Sequence, residues 1–492
     1  MSEETNQLIA QRRQALQELR RRNIDPYPYS FDPTHRAADL HREYGDYTAI
    51  LGEPRVRIAG RIMTRRIHGG SSFAHLQDET GRIQIYLRRN VLGQEDYETF
   101  RRLLDIGDIL GVEGKVFRTR TGELTVEVES YQLLAKALRP LPEKWHGLTD
   151  VETRYRQRYL DLIVNPHVRE VFRKRTLIVQ TIREFLNRRG YLEVETPILQ
   201  PLYGGANARP FTTHHHALDA TFYLRISNEL YLKRLIVGGF ERVYEFSRDF
   251  RNEGIDRFHN PEFTLMECYE AYADYERMMD LTEEMLEQVA LAVHGTTEVE
   301  FQGQKLNFAR PWRRISMVEA IRQTTGIDVL AQDVAGLRKL LLERGLPEED
   351  LETEWGSLVA QLFEETVEKT LVQPTIVYDY PLEVSPLAKK KRGDQRFVER
   401  FEPYVAGMEI GNAFSELNDP DDQRKRFEAQ MARRRAGDEE AQPLDEDYLR
   451  ALEYGMPPTG GLGIGIDRLV MVMTDMPSIR DVILFPQLRP ES

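Results

Sequence analysis

Two arginines and a handful of glutamates are the residues of this chain best suited to do chemistry. Arg251 lies in residues 242–272, RVYEFSRDFRNEGIDRFHNPEFTLMECYEAY, which read as two strands joined by a polar loop. Arg468 lies in residues 460–473, GGLGIGIDRLVMVM, a glycine-rich strand running into an apolar helix. A guanidinium stays charged and its fork binds a carboxylate or phosphate bidentately, so these positions suit anions that must be brought together. Glu402 and Glu409 share FEPYVAGMEI, which alternates like a strand around a glycine. Carboxylates are what a hard divalent cation takes as ligands, alongside phosphate oxygens. Taken singly, each residue has a blander reading: the arginines as surface ion pairs, the two glutamates as solvated strand-edge acids.

Other chemistries are excluded. The one cysteine, Cys268, permits neither an internal disulfide nor a cysteine-based zinc site. Placed between Glu267 and Tyr269 on a strand, it should point away from both and pack as a small hydrophobe. His214, His215 and His216 look like a metal cluster, but adjacent residues cannot share one face of regular structure. Residues 460–465 resemble a dinucleotide fingerprint yet lack its βαβ context, and there is no Walker A loop or nucleophile elbow. A net charge of −13 argues against a general nucleic-acid coat protein. The distribution is uneven: residues 11–22 hold five arginines and one glutamate, and arginine recurs at Arg61, Arg65, Arg66, Arg88 and Arg89. That suggests a local anionic partner, or else a solvated helix face. No apolar run reaches the ~20 residues of a membrane span, the N-terminus has no signal-peptide core and LRPES carries no lipidation signal. The expected location is the cytoplasm.

The elements that must position these residues follow from periodicity. Residues 8–22 read as an amphipathic helix with Leu8, Ala15, Leu16 and Leu19 on one side, ended by Asp25-Pro26. Residues 56–134 hold about five short alternating runs, punctuated by Gly69-Gly70, Glu79-Thr80-Gly81 and Thr121-Gly122, with a helical stretch near 94–104. This is the pattern of an OB barrel, which binds oligonucleotides on one sheet face. The boundaries so read are 1–48 for the basic helix and lead-in, 49–138 for the barrel, 139–150 for a Pro-rich linker and 151–492 for the large domain. Within the last, helices span about 168–189, ELYLKRLIVGG and 275–293, and a helical insertion rich in Glu and Leu falls around 306–370.

Taken in order, residues 185–199 (FLNRRGYLEVETPIL), 242–272 and 460–473 resemble motifs 1, 2 and 3 of the class II aminoacyl-tRNA synthetases. GGANARPF at 204–211, LRISNELY at 224–231 and EIGNAFSEL at 409–417 look like the lysine-specific bacterial members, the lysyl-tRNA synthetases. Their subgroup, shared with the aspartyl and asparaginyl enzymes, also carries an OB domain first. The resemblance covers nearly the whole chain. It implies an α+β architecture: an N-terminal OB-type β-barrel, then a class II catalytic domain made of an antiparallel sheet flanked by helices, with motif 1 at a homodimer interface. The implied activity is ligation of L-lysine to its tRNA, through ATP, Mg²⁺ and a lysyl-adenylate.

The same resemblance assigns roles. Arg251 and Arg468 are the catalytic residues, Arg251 bridging the lysine carboxylate and the α-phosphate, Arg468 lying on the adenine and reaching the γ-phosphate. Phe263 stacks on the other adenine face, Glu253 accepts from the adenine amino group, and His259 and Asn260 line the triphosphate. Glu402 and Glu409 are the metal ligands. For lysine, Glu229 and the Gly205 carbonyl hold the α-ammonium, Glu416 and Tyr269 hold the ε-ammonium, Glu267 lies near, Asn412 assists the carboxylate and Phe414 packs against the stem. Burying an ammonium without acceptors costs several kcal/mol, so an acid-rich pocket is what a diamine substrate requires. On the barrel, Arg61, Phe73, His75 and Gln84 are the anticodon readers, with Glu123 at a neighbouring base; the alternative for Phe73 is a place in the barrel core. Residues 389–392 (KKKR) read as a flexible loop near the active site that touches ATP or the tRNA acceptor end. An aspartyl or asparaginyl relative would need a cation where this pocket has acids. A catalytically dead binder would be free to lose Arg251, Arg468, Glu402 or Glu409, and relatives that lysylate proteins lack the barrel.

Overall fold

Alternation of inward and outward residues closes the N-terminal strands into a barrel. The computed structural model describes all residues except 1–2, 46–53, 143–147, 436, 438–439 and 492, so much of the expected Pro-rich linker lies outside the described residues. Two compact units result, Met1–Thr149 and Asp150–Ser492. In the first, β1 (Arg55–His68), β2 (Ser71–Gln77), β3 (Arg82–Arg88), β4 (Ile109–Arg118) and β5 (Leu124–Ala135) form a closed barrel of order β1-β2-β3-β5-β4. The helix Gln94–Leu103 lies between β3 and β4 in the chain. Along β2, Ser72, Ala74 and Leu76 are buried while Phe73 and His75 face outward, which removes the core reading of Phe73.

The N-terminal helix, Glu3–Arg21, departs from its expected face. Leu16 and Leu19 are buried, but Leu8 is exposed, because only the C-terminal half of the helix is covered. The buried position one turn before Leu16 is filled by Arg12, whose guanidinium donates to the carbonyls of Ile106, Ala137 and Arg139 at 3.0, 3.2 and 3.0 Å. Arg21 and Arg22 pair with Glu18. Part of the basic cluster therefore serves the fold. Nearby, Lys136 is buried between Asp105 and Asp108, at 2.5 and 2.9 Å.

The second unit is built on one sheet of order β14-β15-β16-β18-β19-β11-β10-β6, with β17 paired to β16. The strands of this unit, in chain order, are β6 (Leu192–Glu193), β7 (Leu199–Gln200), β8 (Thr212–His215), β9 (Ala220–Leu224), β10 (Arg242–Phe250), β11 (Glu262–Ala271), β12 (Glu298–Phe301), β13 (Gln304–Asn307), β14 (Arg313–Ser316), β15 (Thr375–Pro381), β16 (Phe397–Val405), β17 (Met408–Glu409), β18 (Gly411–Ser415) and β19 (Thr459–Gly465). The centre is antiparallel, and each edge ends in a parallel pair, β6 with β10 and β14 with β15. β7, β9 and β8 form a small separate sheet, and β12 with β13 a hairpin.

Because side chains alternate, the sheet feeds two cores. Met266 and Cys268 of β11 join Leu462 and Ile464 of β19 in one, with the helices Pro166–Asn187, Tyr275–His294 and Ile466–Thr474. Tyr269 and Ala271 join the other, with the helix Glu229–Val237. Cys268 is thus a buried packing residue on the side opposite Tyr269, its thiol pushed up by burial. Among the described residues, no helix is long and apolar enough to cross a membrane.

Two expectations are corrected. The stretch around 306–370 opens with a strand: β14 hydrogen-bonds alongside β15, where Ile315 is buried opposite Val377, and the helices begin at Met317, with Met317–Thr325, Val334–Leu342 and Trp355–Thr366 joined by short 3-10 turns. Residues 389–392 are not a free basic loop. Lys390 bridges the Val398 backbone, and each cation has a partner: Lys389 with Asn418 at 2.7 Å, Lys390 with Asp422 at 3.3 Å, Lys391 with Asp379, Arg392 with Glu399 and Asp274 at 2.5 and 3.0 Å.

Lys136→Met leaves Asp105 and Asp108 without their cation. Removing one partner of a buried pair costs about 3–5 kcal/mol, so the full chain should show an early unfolding step assignable to the barrel in urea titration. An unchanged transition would mean that Lys136 contributes nothing to the fold.

Candidate active site

The β10–β11 hairpin carries the first half of the site. Its ladder ends with Asp249 opposite Phe263 and Phe250 opposite Glu262, so the connecting loop emerges beside the sheet, pinned by the Arg251 amide on the Pro261 carbonyl at 2.9 Å. Arg251 turns back over Phe263, its guanidinium carbon 5.1 Å from the ring centroid. The expected adenine stack pairs Phe263 with Arg468; in this structure the guanidinium over the ring is that of Arg251. Arg468, in the first turn of the helix after β19, donates to Glu409 Oε2 at 2.6 Å and through Nη2 to His259 Nε2 at 2.9 Å. Arginine cannot accept, so Nε2 is the acceptor and Nδ1 carries the proton given to Asp256 at 2.7 Å. Asn260 borders the cleft, and its amide also holds the loop: Nδ2 donates to the Glu262 carbonyl at 2.6 Å and Oδ1 accepts from the Gln487 amide at 3.3 Å, which leaves a second N–H and a second lone pair. Asn260 thus both holds the loop and lines the cleft where the triphosphate is expected. Glu253 lines the same cleft and is exposed.

The β16–β17 hairpin supplies the carboxylates. Glu402 Oε2 accepts from the hydroxyls of Tyr380 and Tyr404 at 2.7 and 2.6 Å, and Oε1 from Arg400 at 2.6 Å. Glu409 is pushed up by burial, against the pull of Arg468, and the charge of Glu402 pushes it further. Two hard carboxylates that repel one another beside an arginine are a donor set that fits a divalent cation arriving with phosphates. Among the described residues, no group of three or more acids, histidines or cysteines is placed to hold a metal without such a partner.

The other half of the cleft, whose volume is about 380 Å³, is acidic and buried. Glu229 opens the helix Glu229–Val237, Glu267 and Tyr269 project from β11, and Glu416 follows β18. Glu267 accepts from Ser227 at 3.1 Å and from Tyr269 at 3.0 Å. Burial, then the charges of Glu229 and Asp249, push it well above the usual carboxylate range. Tyr269 is therefore committed to Glu267 rather than directly to Glu416. Glu416 is pushed well up by burial, against the pull of Lys233, which ion-pairs Oε2; among the described residues nothing hydrogen-bonds Oε1. Asn412 Oδ1 accepts from Arg400 Nε at 2.9 Å, which leaves Nδ2 as a donor. Phe414 lines the cleft. Gly205 has φ +90°, and a Cβ there would sit 2.8 Å from Ser227 Oγ, so glycine lets this loop close on Glu229.

The pattern of the family described as tRNA synthetases class II (D, K and N) matches residues 150–489, and that of the OB-fold nucleic acid binding domain matches residues 56–134. The chain is 57% identical to the lysine–tRNA ligase of Carboxydothermus hydrogenoformans over 489 residues, 99% of either chain. It is 56% identical to that of Pelotomaculum thermopropionicum over 490 residues, 99% of this chain and 96% of the other. With that of Staphylococcus haemolyticus the identity is 51% over 496 residues, 99% of this chain and all of the other. The chain belongs to the lysine–tRNA ligase family of class II tRNA synthetases.

In this class II synthetase the barrel face holds a second constellation. Phe73 stacks on Tyr86 with centroids 4.4 Å apart, and Glu123 accepts from His75 at 2.7 Å and Gln84 at 2.6 Å. Arg61, half-buried, donates through one nitrogen to the Gly107 carbonyl at 2.7 Å. The arginine opposite Phe73 in the ladder is Arg66, which is exposed. The sequence reading missed it because a bulge between Ile62 and Thr64 shifts the phase of β1. It also missed Lys233, buried behind Glu229 and Glu416, and Arg400, half-buried in the cleft wall. Each had a local signal: Lys233 stands one helical turn after Glu229, and Arg400 shares a strand face with Glu402.

Gly461 faces this pocket. A Cβ there would run into Glu416 Oε1 and sit 2.7 Å from the Tyr269 ring. Gly461→Ala should lower the chain's stability by about 1–3 kcal/mol through overpacking, read as a reduced denaturant midpoint. A midpoint equal to that of the unaltered chain would show that the Glu416 side chain can swing aside.

Proposed function

We propose that the chain activates L-lysine with ATP to lysyl-adenylate and transfers the lysyl group to the 3′ end of its tRNA. The observation that carries the amino acid is Glu416: a buried carboxylate with an unpaired oxygen, among acids, in a cleft whose other half is built for anions. A lysine ε-ammonium supplies the missing donor and charge. A substrate without it would leave buried acceptors unmet, which is how such a site rejects neutral analogues. Glu229, with the Gly205 carbonyl, takes the α-ammonium. Tyr269 acts through Glu267, and Phe414 covers the methylene stem.

In the first step a lysine carboxylate oxygen attacks the α-phosphorus, the bond to the β-phosphate oxygen breaks, and pyrophosphate leaves. In the second, a terminal ribose hydroxyl of tRNA attacks the acyl carbon and AMP departs. Neither step needs a covalent enzyme intermediate. The work lies in holding two anions together and spreading charge. Arg251 does this at the carboxylate and α-phosphate, and the Nδ2 of Asn412 assists. Arg468 and His259 serve the triphosphate, Phe263 offers its face to the adenine and Glu253 its acceptor to the amino group. Glu402 and Glu409 would hold Mg²⁺, which screens the phosphate charge when bound. On the barrel, Phe73, Gln84, His75 and Arg66 present a ring with polar edges to an unpaired base, with Glu123 orienting two of them. Motif 1 leaves Leu192, Ile198 and Leu199 exposed, apolar area that suits a homodimer contact. A reaction of translation places the chain in the cytoplasm.

ATP–pyrophosphate exchange against all twenty amino acids tests the reading, and lysine alone should support it. Glu416→Gln should raise the lysine KM roughly 30-fold or more, since truncating a buried charge partner costs about 2–5 kcal/mol, and leave the ATP KM within about twofold. Equal effects on both constants would remove Glu416 from the lysine pocket.

Stacking of one base on an aromatic ring is worth about 1–3 kcal/mol, so Phe73→Ala should slow tRNA charging by roughly five- to a hundredfold while exchange stays unchanged. Matched losses in the two assays would make Phe73 a residue of the fold.

A further inference from the structure

Lys233 has no part in the reaction above, yet it is the cation closest to the recognition acids. It lies one turn beyond Glu229 on the same helix, with its side chain wholly buried. Its ammonium joins Glu229 Oε1, from its own helix, to Glu416 Oε2, from the segment after β18, and its Nζ lies 5.2 Å from the Phe414 centroid. Tyr448 faces it from the helix Glu446–Glu453. Burial works against this ammonium, but Glu229 and Glu416 outweigh it, so Lys233 stays charged.

We propose that Lys233 is a positioning residue that sets lysine specificity: it takes one oxygen from each recognition acid and leaves Glu229 Oε2 and Glu416 Oε1 to accept the substrate's two ammonium groups. The proposal rests on the reading of this pocket as the lysine site. Its basis is the division of acceptors. Lys233 hydrogen-bonds Glu229 Oε1 and ion-pairs Glu416 Oε2, while Glu416 Oε1 is buried with no hydrogen-bond partner among the described residues. One fixed ammonium thus orients two carboxylates that reach the pocket from different elements.

The same ammonium pulls against the protonation of Glu229 and Glu416 that burial favours. With Lys233 neutral, Glu229 and Glu416 would be like charges in a buried space that already holds Glu267, and one of them would take a proton. A protonated Glu416 no longer attracts an ε-ammonium. Nor is it left as an unpaired charge by an uncharged side chain. Both changes erode the preference for lysine over a neutral amino acid of the same stem, such as norleucine.

The test compares the full-length chain with Lys233→Met in ATP–pyrophosphate exchange, with folding checked by circular dichroism and thermal midpoint. The lysine KM should rise by about tenfold or more, the ATP KM should stay within about twofold, and the kcat/KM ratio of lysine to norleucine should fall by about tenfold or more. Lys233→Gln, a neutral side chain that keeps a donor, should behave the same way and serves if the methionine variant does not fold. An unchanged lysine KM and preference in a folded variant would overturn the proposal. So would equal rises in both KM values, or failure of both variants to fold, which would assign Lys233 to stability alone. Failure of the unaltered chain to exchange with lysine is a separate result, and it would overturn the lysine reading of the pocket itself.

Discussion

The site depends on a strand with almost no side chains. β19 runs between β11 and β18, and its residues Gly461, Gly463 and Gly465 leave the sheet surface bare along the cleft. Beside it, a Cβ on Gly461 would intrude on Glu416 and Tyr269, and one on Gly411 of β18 would run 2.7 Å from the Ile464 side chain. The glycines therefore do not loosen the sheet for flexibility. They let neighbouring strands hold large polar groups directly over the backbone, where water is excluded and each charge acts strongly. The apolar residues of the strand, Leu462 and Ile464, alternate to the opposite side and tie it into a core.

Holding acids in such a place requires cations, and the fold distributes them. Arg225 is buried against Glu245 at 2.7 Å and Asp249 at 3.1 Å, which joins the segment before the helix Glu229–Val237 to β10. Asp467 links the helix after β19 to the motif 1 helix through Arg175 at 2.6 Å, and to β11 through the Thr264 amide at 2.7 Å. These pairs connect the three motif regions beneath the cleft. Truncating either partner would leave a charge buried alone, so each pair fixes geometry more firmly than its net contribution to stability suggests.

Much of this is legible in the residues themselves. The β10–β11 hairpin, the strand-to-helix passage at Asp467-Arg468 and the barrel strands all follow from alternation and turn residues, because those signals are local. The rest depended on partners far away in sequence. Whether Arg12 serves solvent or the interior depends on three distant carbonyls. Whether Arg61 or Arg66 stands by Phe73 depends on one bulge. KKKR reads as a mobile loop until Asn418, Asp422, Asp379 and Glu399 supply its counter-charges.

The two halves of the cleft are separable in chemistry and joined in structure. Any adenylate-forming step needs the arginines and the carboxylate pair, whatever the amino acid, so Arg251 and Arg468 speak for the class alone. In the proposed reading, the acids around Lys233 answer the side chain of the substrate. Arg400 connects them: its guanidinium donates to Glu402 on the cation-binding side and to Asn412 on the amino-acid side, and its charge also acts on Glu229. A single planar group with five donors can hold both halves in register, which an ammonium could not. The pocket can therefore differ in its acids, and with them its substrate, without disturbing the charge arrangement that the phosphate chemistry requires.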